Sequence, residues 1–339
     1  MKRLSLKDVA KLAGVAPSTV SFVLNGKAKQ MRISDELAAK IEAVVRKSGY
    51  TPHQVAVNLR TGQSKTLGLI VESISGSFFA SLAKIIETEA EKYGYRVVYC
   101  STENNAQKGG ELIRMLSRQQ VDGYLITPTA GMEKDIQQLV DYKRPVVLMD
   151  SFFPTLSQVP YVLIDNYDGM VKGMQHLINK GYKQIGLVTV DMDLVQIKER
   201  YKGYTDTLRD NGIANKKKYQ LKLPYNITRE EAVQHIADFV KSNPQMDAVF
   251  FTTNYLGIWG LETFAKLGIR IPQDMAVICF DDHDLFRLYP PGITVIEQPV
   301  EEIAKTAIRL LMQQLNQTKG VTKKSQVTLP GKFIVRGSV

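Results

Sequence analysis

The amino-acid sequence predicts an α/β core of two doubly wound parallel-sheet subdomains, preceded by an all-α helix-turn-helix head. Two short helical stretches joined by a glycine-containing turn occupy Ser5–Lys27, which is the arrangement of a helix-turn-helix. From Thr66 onward, apolar strand-like runs alternate with helical stretches, a pattern typical of parallel sheets covered on both faces. A chain of 339 residues, 44% of them hydrophobic and 23% charged, has room for two or three globular domains.

Capping signals mark both short helices of the head. Ser5, followed three residues later by Asp8, forms an acidic variant of the capping box. Pro17 stands where a first helical residue loses no hydrogen bond. We expect the two helices to face each other through Val9, Leu12 and Ala13 of the first and Val20, Val23 and Leu24 of the second. An ordinary helical hairpin inside a larger core is the alternative.

The positive charge of the chain is concentrated in its first residues. Residues 1–65 contain twelve Lys or Arg against four Asp or Glu, so they carry +8 of the total +10. The remaining residues form a nearly neutral body. A basic head that coincides with a helix-turn-helix indicates a polyanionic partner, for which double-stranded DNA is the natural candidate.

A third helix and a short segment complete the head. Ser34 is a cap for a helix from about Asp35, and Gly49 ends it. The following segment places Val55, Ala56 and Leu59 on one helical face. A helix of about eight residues is marginal in water, so it needs a partner, either a second copy of itself or DNA. A plain linker is the alternative.

The strand and helix pattern divides the rest of the chain near residue 164. In parallel sheets, ligands bind outside the carboxyl ends of the strands, and with two sheets these ends can face each other across a cleft. We expect the following boundaries: 1–49 for the head, 50–63 for the hinge helix and linker, 64–163 plus about 293–325 for the N-terminal core subdomain, and 164–292 plus about 326–339 for the C-terminal core subdomain.

Several classes of protein are disfavoured by what the sequence lacks. The two cysteines, Cys100 and Cys279, lie in apolar strand-like runs that favour buried thiols over disulfides. The sequence contains neither a signal-peptide pattern nor an apolar run of the roughly 20 residues that cross a membrane, so we expect a cytoplasmic protein. It also lacks a glycine-rich phosphate loop, a nucleophile elbow and metal-ligand spacing among its histidines. We therefore expect no enzyme activity, no cofactor and no metal.

The whole chain resembles the LacI/GalR family of bacterial transcriptional regulators. The resemblance is carried by the head motif LKDVAKLAGVAPSTVSFVLNG, the hinge motif from Tyr50 to Gly62 and several core motifs, among them Arg200-Tyr201-Lys202-Gly203-Tyr204, Cys279-Phe280-Asp281-Asp282 and Gln298-Pro299. It implies a homodimeric DNA binder controlled by an effector, with a core similar to the periplasmic sugar-binding fold.

The second helix carries the DNA-reading surface that this resemblance implies. The apolar side of this helix is turned inward. The residues that point outward are Pro17, Ser18, Thr19, Ser21 and Phe22. Similarity to the family puts base contacts at Pro17, Ser18 and Phe22. Many members carry Arg at the position of Phe22, where it makes a bidentate contact to guanine. Phe22 cannot make that contact and offers only apolar contact, for example to a thymine methyl. The operator is therefore expected to depart from the commonest family half-site. The hydroxyls of Ser5, Ser18, Thr19 and Ser21, with Asn25, are expected to position the head on phosphates; a solvated or capping group is the alternative for each. Ala16 is a further DNA-binding candidate.

Three hinge residues complete the expected DNA interface. In the family, a leucine at the position of Leu59 wedges into the minor groove and kinks the duplex. Ala56 allows two hinge helices to approach closely. His53 stands where most members have Asn. A linker residue packed on the core is the alternative for Leu59.

Residues at the carboxyl ends of the predicted strands are the effector-binding candidates. Asp150, Asn254 and Asp281 follow three strands, and Arg200 follows a fourth. Two carboxylates, an amide and a guanidinium can bind several hydroxyls in pairs, and each matches a sugar-binding position of the family. The resemblance adds Phe78 and Phe79, which stand where an aromatic often stacks on the sugar ring. Tyr255 replaces the usual Asp of the family and is expected to add a ring-facing contact. Trp259 is disfavoured because it lies two turns along its helix, towards the core. A structural acid is the alternative for Asp281, and a salt bridge across the cleft is the alternative for Arg200.

The sequence thus predicts a DNA-binding regulator, a repressor in our interpretation, of carbohydrate-related genes. A sugar or sugar derivative in the cleft would change DNA affinity, and ligand binding would either release DNA or promote DNA binding. The alternatives are a regulator of the same fold controlled by a protein partner or a sugar phosphate, and a soluble sugar-binding receptor.

Overall fold

A computed structural model describes residues 4–50, 62–316 and 326–339. The chain forms two compact units, residues 1–64 and 65–339, and each is described by itself. Within the described residues, no helix combines the length and the apolar character needed to span a membrane.

Among its described residues, the first unit contains three helices around a small core. They are α1 (Leu6–Ala13), α2 (Pro17–Leu24) and α3 (Asp35–Ser48). The hydroxyl of Ser34 caps α3 by accepting a hydrogen bond from the Leu37 amide at 3.3 Å. Gly49 ends α3 in the left-handed conformation, with φ of 62°. The buried core side chains are Val9, Ala10, Ala13, Val20, Val23 and Ile41.

One predicted core residue of the head is misplaced. Leu12 was expected between α1 and α2, but it is 61% exposed. Ala10 takes the buried position instead. An eight-residue helix has too few turns for its apolar residues to define one face unambiguously, since Val9, Ala10, Leu12 and Ala13 are all compatible with burial.

The second unit alternates strands and helices, as the sequence predicts. In chain order the elements are β1 (Thr66–Val71), α4 (Ser77–Glu91), β2 (Arg96–Ser101), α5 (Ala106–Arg118), β3 (Gly123–Ile126), α6 (Glu133–Asp141), β4 (Val146–Met149), β5 (Tyr161–Ile164), α7 (Asn166–Asn179), β6 (Ile185–Asp191), α8 (Val195–Asp210), β7 (Gln220–Pro224), α9 (Arg229–Lys241), β8 (Ala248–Phe251), α10 (Asn254–Leu267), β9 (Ala276–Phe280), α11 (Asp284–Leu288), β10 (Thr294–Glu297), α12 (Val300–Asn316), β11 (Gln326–Leu329) and β12 (Lys332–Ile334).

The strands form two six-stranded sheets of matching topology. The first has the order β11-β5-β4-β3-β1-β2 and the second the order β12-β10-β9-β8-β6-β7. All neighbouring strands are parallel except β10 and β12. Each sheet has a topological switch point beside its first strand, where ligands of doubly wound sheets bind.

Helices cover both faces of both sheets, and the apolar core lies in the resulting layers. In the first subdomain, α4 and α12 cover one face and α5 and α6 the other. In the second subdomain, α9 and α10 lie on one face and α7 and α8 on the other. The inner strands are buried along their whole length, for example β3, β4 and β9, which is why they read as unbroken apolar runs. The predicted fold class is confirmed.

The predicted boundaries of the subdomains are wrong at two short strands. The segment beginning at residue 293 was assigned to the first subdomain, but β10 pairs with β9 of the second sheet. The segment beginning at residue 326 was assigned to the second subdomain, but β11 pairs with β5 of the first sheet. Helix α12 packs against α4 of the first subdomain. The chain therefore crosses between the subdomains after β5, after β10 and after β11.

Candidate functional site

The helix-turn-helix is held by local polar contacts at its ends. The Ser5 hydroxyl accepts a hydrogen bond from the Asp8 amide at 3.3 Å, and the Asp8 carboxylate accepts one from the Ser5 amide at 2.8 Å. Gly14 ends α1 with φ of 72°, a conformation that glycine adopts without strain. Asn25 ends α2 and donates to the Ser21 carbonyl. Ser5 and Asn25 thus cap their helices, while their contact with phosphates stays a prediction.

The outward surface of α2 is composed as the sequence predicts. Val20 and Val23 are buried against the other head helices. The side chains of Ala16, Pro17 and Ser18 are exposed, and those of Thr19, Ser21 and Phe22 are partly exposed. Leu24, expected inside, packs on the core of the head but is also partly exposed. The hinge candidates His53, Ala56 and Leu59 lie outside the described residues.

A cleft of about 450 Å³ lies between the two core subdomains. It is lined by residues that follow the carboxyl ends of strands from both sheets. All seven effector-binding candidates line it: Phe78, Phe79, Asp150, Arg200, Asn254, Tyr255 and Asp281. Both switch points therefore contribute to one cavity, as the topology requires.

Two of the carboxylates occupy equivalent places in the two sheets. Asp150 directly follows β4 and Asp281 directly follows β9, and these are equivalent strands in the two sheet orders. Both residues have left-handed backbone conformations, with φ of 63° and 69°. Such a conformation is uncommon for a residue with a side chain. It turns the chain sharply at the strand end, where each carboxylate lines the cleft.

Arg200 is the cation of the cleft and is fixed from several sides. It is 2% exposed. Its Nε donates to Asn166 Oδ1 at 2.8 Å and its Nη1 donates to the Thr252 carbonyl at 2.6 Å. The guanidinium lies 3.7 Å from the centre of the Phe280 ring, and its Nη1 lies 3.7 Å from Asp281 Oδ2. Asp281 belongs to the same subdomain as Arg200, so this ion pair does not cross the cleft. The salt bridge across the cleft that the sequence left open for Arg200 is not formed with Asp281.

In the part of the chain that the structure describes, three polar contacts cross the cleft between the subdomains. Gln196 Nε2 donates to Asp150 Oδ2 at 3.1 Å, and Asn254 Nδ2 donates to Ser77 Oγ at 3.2 Å. The third joins the Tyr225 hydroxyl to the Glu72 carboxylate. Each pairs a residue of the second subdomain with one of the first, so these contacts respond directly to any change in the opening of the cleft.

Burial and mutual repulsion alter the protonation of the acidic residues. Burial, with repulsion from Asp150, raises the pKa of Glu72 to about 7. Burial raises the pKa of Asp150 to about 6, although attraction to Arg200 opposes the shift. Burial also raises the pKa of Asp281, against the lowering effects of Arg200 and of the Gln298 amide. The cleft therefore gathers carboxyl groups that are costly to ionise together.

Sequence reasoning missed several residues that line the cleft. They are Glu72, Glu103, Gln196, Tyr225 and Gln298, together with Trp259, which was disfavoured as lying too far along its helix. Trp259 reaches the cavity beside Tyr255, whose ring centre is 5.1 Å away. Glu72, Glu103 and Tyr225 each come one or two residues after a strand, the signal that identified Asp150 and Asp281. Among the described residues, no group of three or more His, Cys, Asp or Glu could hold a metal ion.

Comparison with known proteins gives matches to both units. The family model described as "Bacterial regulatory proteins, lacI family" matches residues 5–53, and the one described as "Periplasmic binding protein-like domain" matches residues 174–339. The HTH-type transcriptional repressor PurR of Photobacterium profundum is 29% identical, over 92% of this chain and 92% of its own length. The ribose operon repressor of Halalkalibacterium halodurans is 27% identical, over 98% of this chain and 96% of its own.

A solved structure shares the architecture of both units. The lac repressor dimer, bound to operator and the anti-inducer ONPF, matches with a TM-score of 0.85 and covers 99% of each chain. Its sequence identity is 22%, so this likeness concerns the fold.

Replacing Glu72 by Gln tests the electrostatics of the cleft. The pKa of Glu72 is about 7 in the folded state, whereas the ordinary pKa of a glutamate is 4.5. The folded state therefore binds more protons than the unfolded state between these values, and stability falls as pH rises through that window. Glu72→Gln removes this penalty. It should stabilise the core by about 1–2 kcal/mol at about pH 8 and have little effect at about pH 4.5.

Calorimetric unfolding at the two pH values measures this difference. Glu111→Gln, the same change on the exposed surface of α5, should show no such pH dependence. A Glu72→Gln protein that is less stable than the parent at the higher pH would contradict the account.

Proposed function

The chain belongs to the lacI family of bacterial regulatory proteins, and on that premise we propose that a small sugar-like effector in the core cleft controls its affinity for operator DNA. Members of this family are DNA-binding transcriptional regulators, and the two relatives described above are repressors rather than enzymes. Our proposal concerns three points: the class of effector, the dimeric state and the residues that bind DNA and effector.

The observation that carries the proposal is the composition of the cleft. A guanidinium, an amide and carboxylates from both subdomains line a single cavity of about 450 Å³. Such groups bind vicinal hydroxyls through paired hydrogen bonds, and the volume suits a small ligand. The aromatic rings of Phe78 and Phe79 lie at its edge, 5.0 Å apart and nearly perpendicular. One of them can cover the apolar face of a sugar ring.

Arg200 is suited to orienting such a ligand. Its Nε and Nη1 hydrogen bonds fix the plane of the guanidinium. Within the described part of the chain, its Nη2 has no hydrogen-bond partner and is available to a hydroxyl oxygen. Asp281, held by Gln298 Nε2 at 2.6 Å, supplies acceptors beside it. A rigid donor and a rigid acceptor side by side lower the entropic cost of binding a polyol.

The head is proposed to read DNA through α2 in the major groove. Pro17, Ser18 and Phe22 are the proposed base contacts, while exposed lysines and arginines of the basic head face phosphates. Phe22 offers no hydrogen bond to a base, so its contribution is apolar contact with a thymine methyl.

Control of DNA binding is proposed to depend on a dimer. Two heads would meet a near-palindromic operator, with Ala56 at the contact of two hinge segments and Leu59 as a minor-groove wedge. Ligand binding would change the relative position of the core subdomains, which the three crossing contacts already link, and so alter the spacing of the hinges. Acting on chromosomal DNA, such a regulator works in the cytoplasm.

The effector proposal is tested by Asp281→Asn. Full-length protein is screened by thermal shift against neutral, amino and phosphorylated sugars, and the ligands found are titrated by calorimetry. Asparagine keeps the shape of the side chain but loses its charge, so affinity should fall about tenfold or more. Glu111→Gln, remote from the cleft, should bind like the parent. Unchanged affinity in Asp281→Asn would place the ligand elsewhere and refute the proposal.

The role of Phe22 is tested by selecting binding sites from random DNA. Phe22→Ala should lose the preference for thymine at one position in each half-site, with a loss of affinity of about tenfold for the selected operator. Met31→Ala removes another exposed apolar side chain of the head, 45% exposed and outside α2, and should leave the selected sequence unchanged. An identical preference before and after Phe22→Ala would exclude a base contact.

A further inference from the structure

The cleft carries more negative charge than its cation balances. Glu72, Glu103, Asp150 and Asp281 all line the cavity, and Arg200 is the cation among the described residues that line it. Asp281 lies beside this guanidinium. In the described part of the chain, the other three carboxyl groups form no ion pair. A ligand enclosed here meets an acidic surface.

The same cavity contains buried acceptors that have no partner. Gln196 and Gln298 are 6% and 5% exposed and both line the cleft. Each uses its Nε2 group to donate to an aspartate, the first to Asp150 and the second to Asp281. The Oε1 atom of each amide has no hydrogen-bond partner in the described structure. A buried acceptor without a partner is costly, so a ligand whose donors reach these two oxygens on closure would remove that cost.

Neutral and anionic ligands suit this surface poorly. Closing the cleft on a neutral sugar would exclude water while leaving carboxyl groups that must either keep a proton or ionise without a counter-charge, and both are unfavourable at neutral pH. A phosphate group would add negative charge to the same space. A protonated amine provides three hydrogen-bond donors and a positive charge. It can therefore donate to the unpartnered acceptors and balance the negative charge of the cleft.

We infer that the effector is a small polyhydroxylated amine of the amino-sugar class, whose ammonium group lies among Glu72, Glu103 and Asp150. This inference rests on the proposed function and specifies its ligand. The hydroxyls of the sugar meet Arg200 and Asp281, which line the same cavity. The ammonium occupies the acidic part, where Tyr225 holds Glu72 from the facing subdomain.

Calorimetric titration of the full-length protein with matched sugars tests the inference. Glucosamine, galactosamine and mannosamine are each compared with the parent hexose, the N-acetyl derivative and the 6-phosphate. At least one free amine should bind about ten- to a hundredfold tighter than its parent hexose, the gain expected from charge-assisted hydrogen bonds. Its N-acetyl and phosphate forms should bind no tighter than the parent hexose.

Variants assign this preference to the acidic residues. Glu72→Gln keeps the size of the side chain and removes its charge, so it should reduce the preference for the amine by about tenfold. Glu111→Gln should retain the full preference. Thermal unfolding of each variant checks that it is folded.

The outcomes separate this inference from the proposed function. If neutral or phosphorylated sugars bind as tightly as the amines and Asp281→Asn weakens them, the cleft is the effector site and the amine inference is wrong. If sugars bind but neither Glu72→Gln nor Asp281→Asn weakens them, both proposals are wrong. If none of the three hexosamines binds, the amino-sugar inference is also overturned.

Discussion

The buried guanidinium of Arg200 is the interaction on which the cleft depends. It joins Asn166 at the start of α7, the Thr252 carbonyl after β8 and the Asp281 carboxylate after β9. Asn166 follows the crossover between the subdomains, and the other two groups follow strand ends. The Arg200 side chain therefore fixes the relative positions of these three segments. A buried cation requires such partners, because its desolvation is costly. The site is therefore rigid on the side of the second subdomain before any ligand arrives.

The first subdomain contacts this rigid side of the cleft through side-chain hydrogen bonds that involve no ion pair. Gln196 with Asp150, Asn254 with Ser77 and Tyr225 with Glu72 connect side chains across the cleft. Two of them involve acids whose pKa burial raises towards neutrality. Contacts between partly protonated acids and neutral donors are weak compared with a paired charge, so a ligand of suitable charge can replace them. This is how occupancy of the cleft would select one relative position of the subdomains.

Much of this organisation could be predicted from the sequence. Unbroken apolar runs such as β9 identify buried parallel strands, and polar residues directly after them, such as Asp150 and Asp281, must meet at one edge. Gln298 directly follows β10, and a strand of four residues carries no local signal of which sheet it joins or which residues its end meets. Glu72 and Tyr225 were missed because their pairing depends on how two separate sheets face each other. The burial of Arg200 follows from the same tertiary arrangement.

The central claim is that cleft occupancy and DNA binding are linked, and a thermodynamic cycle tests it most directly. The dissociation constant for the selected operator is measured with and without the ligand, and that for the ligand with and without the operator. Linkage requires the two ratios to be equal and, for this account, to differ from one by about fivefold or more. Ratios equal to one, with both molecules bound, would contradict the account.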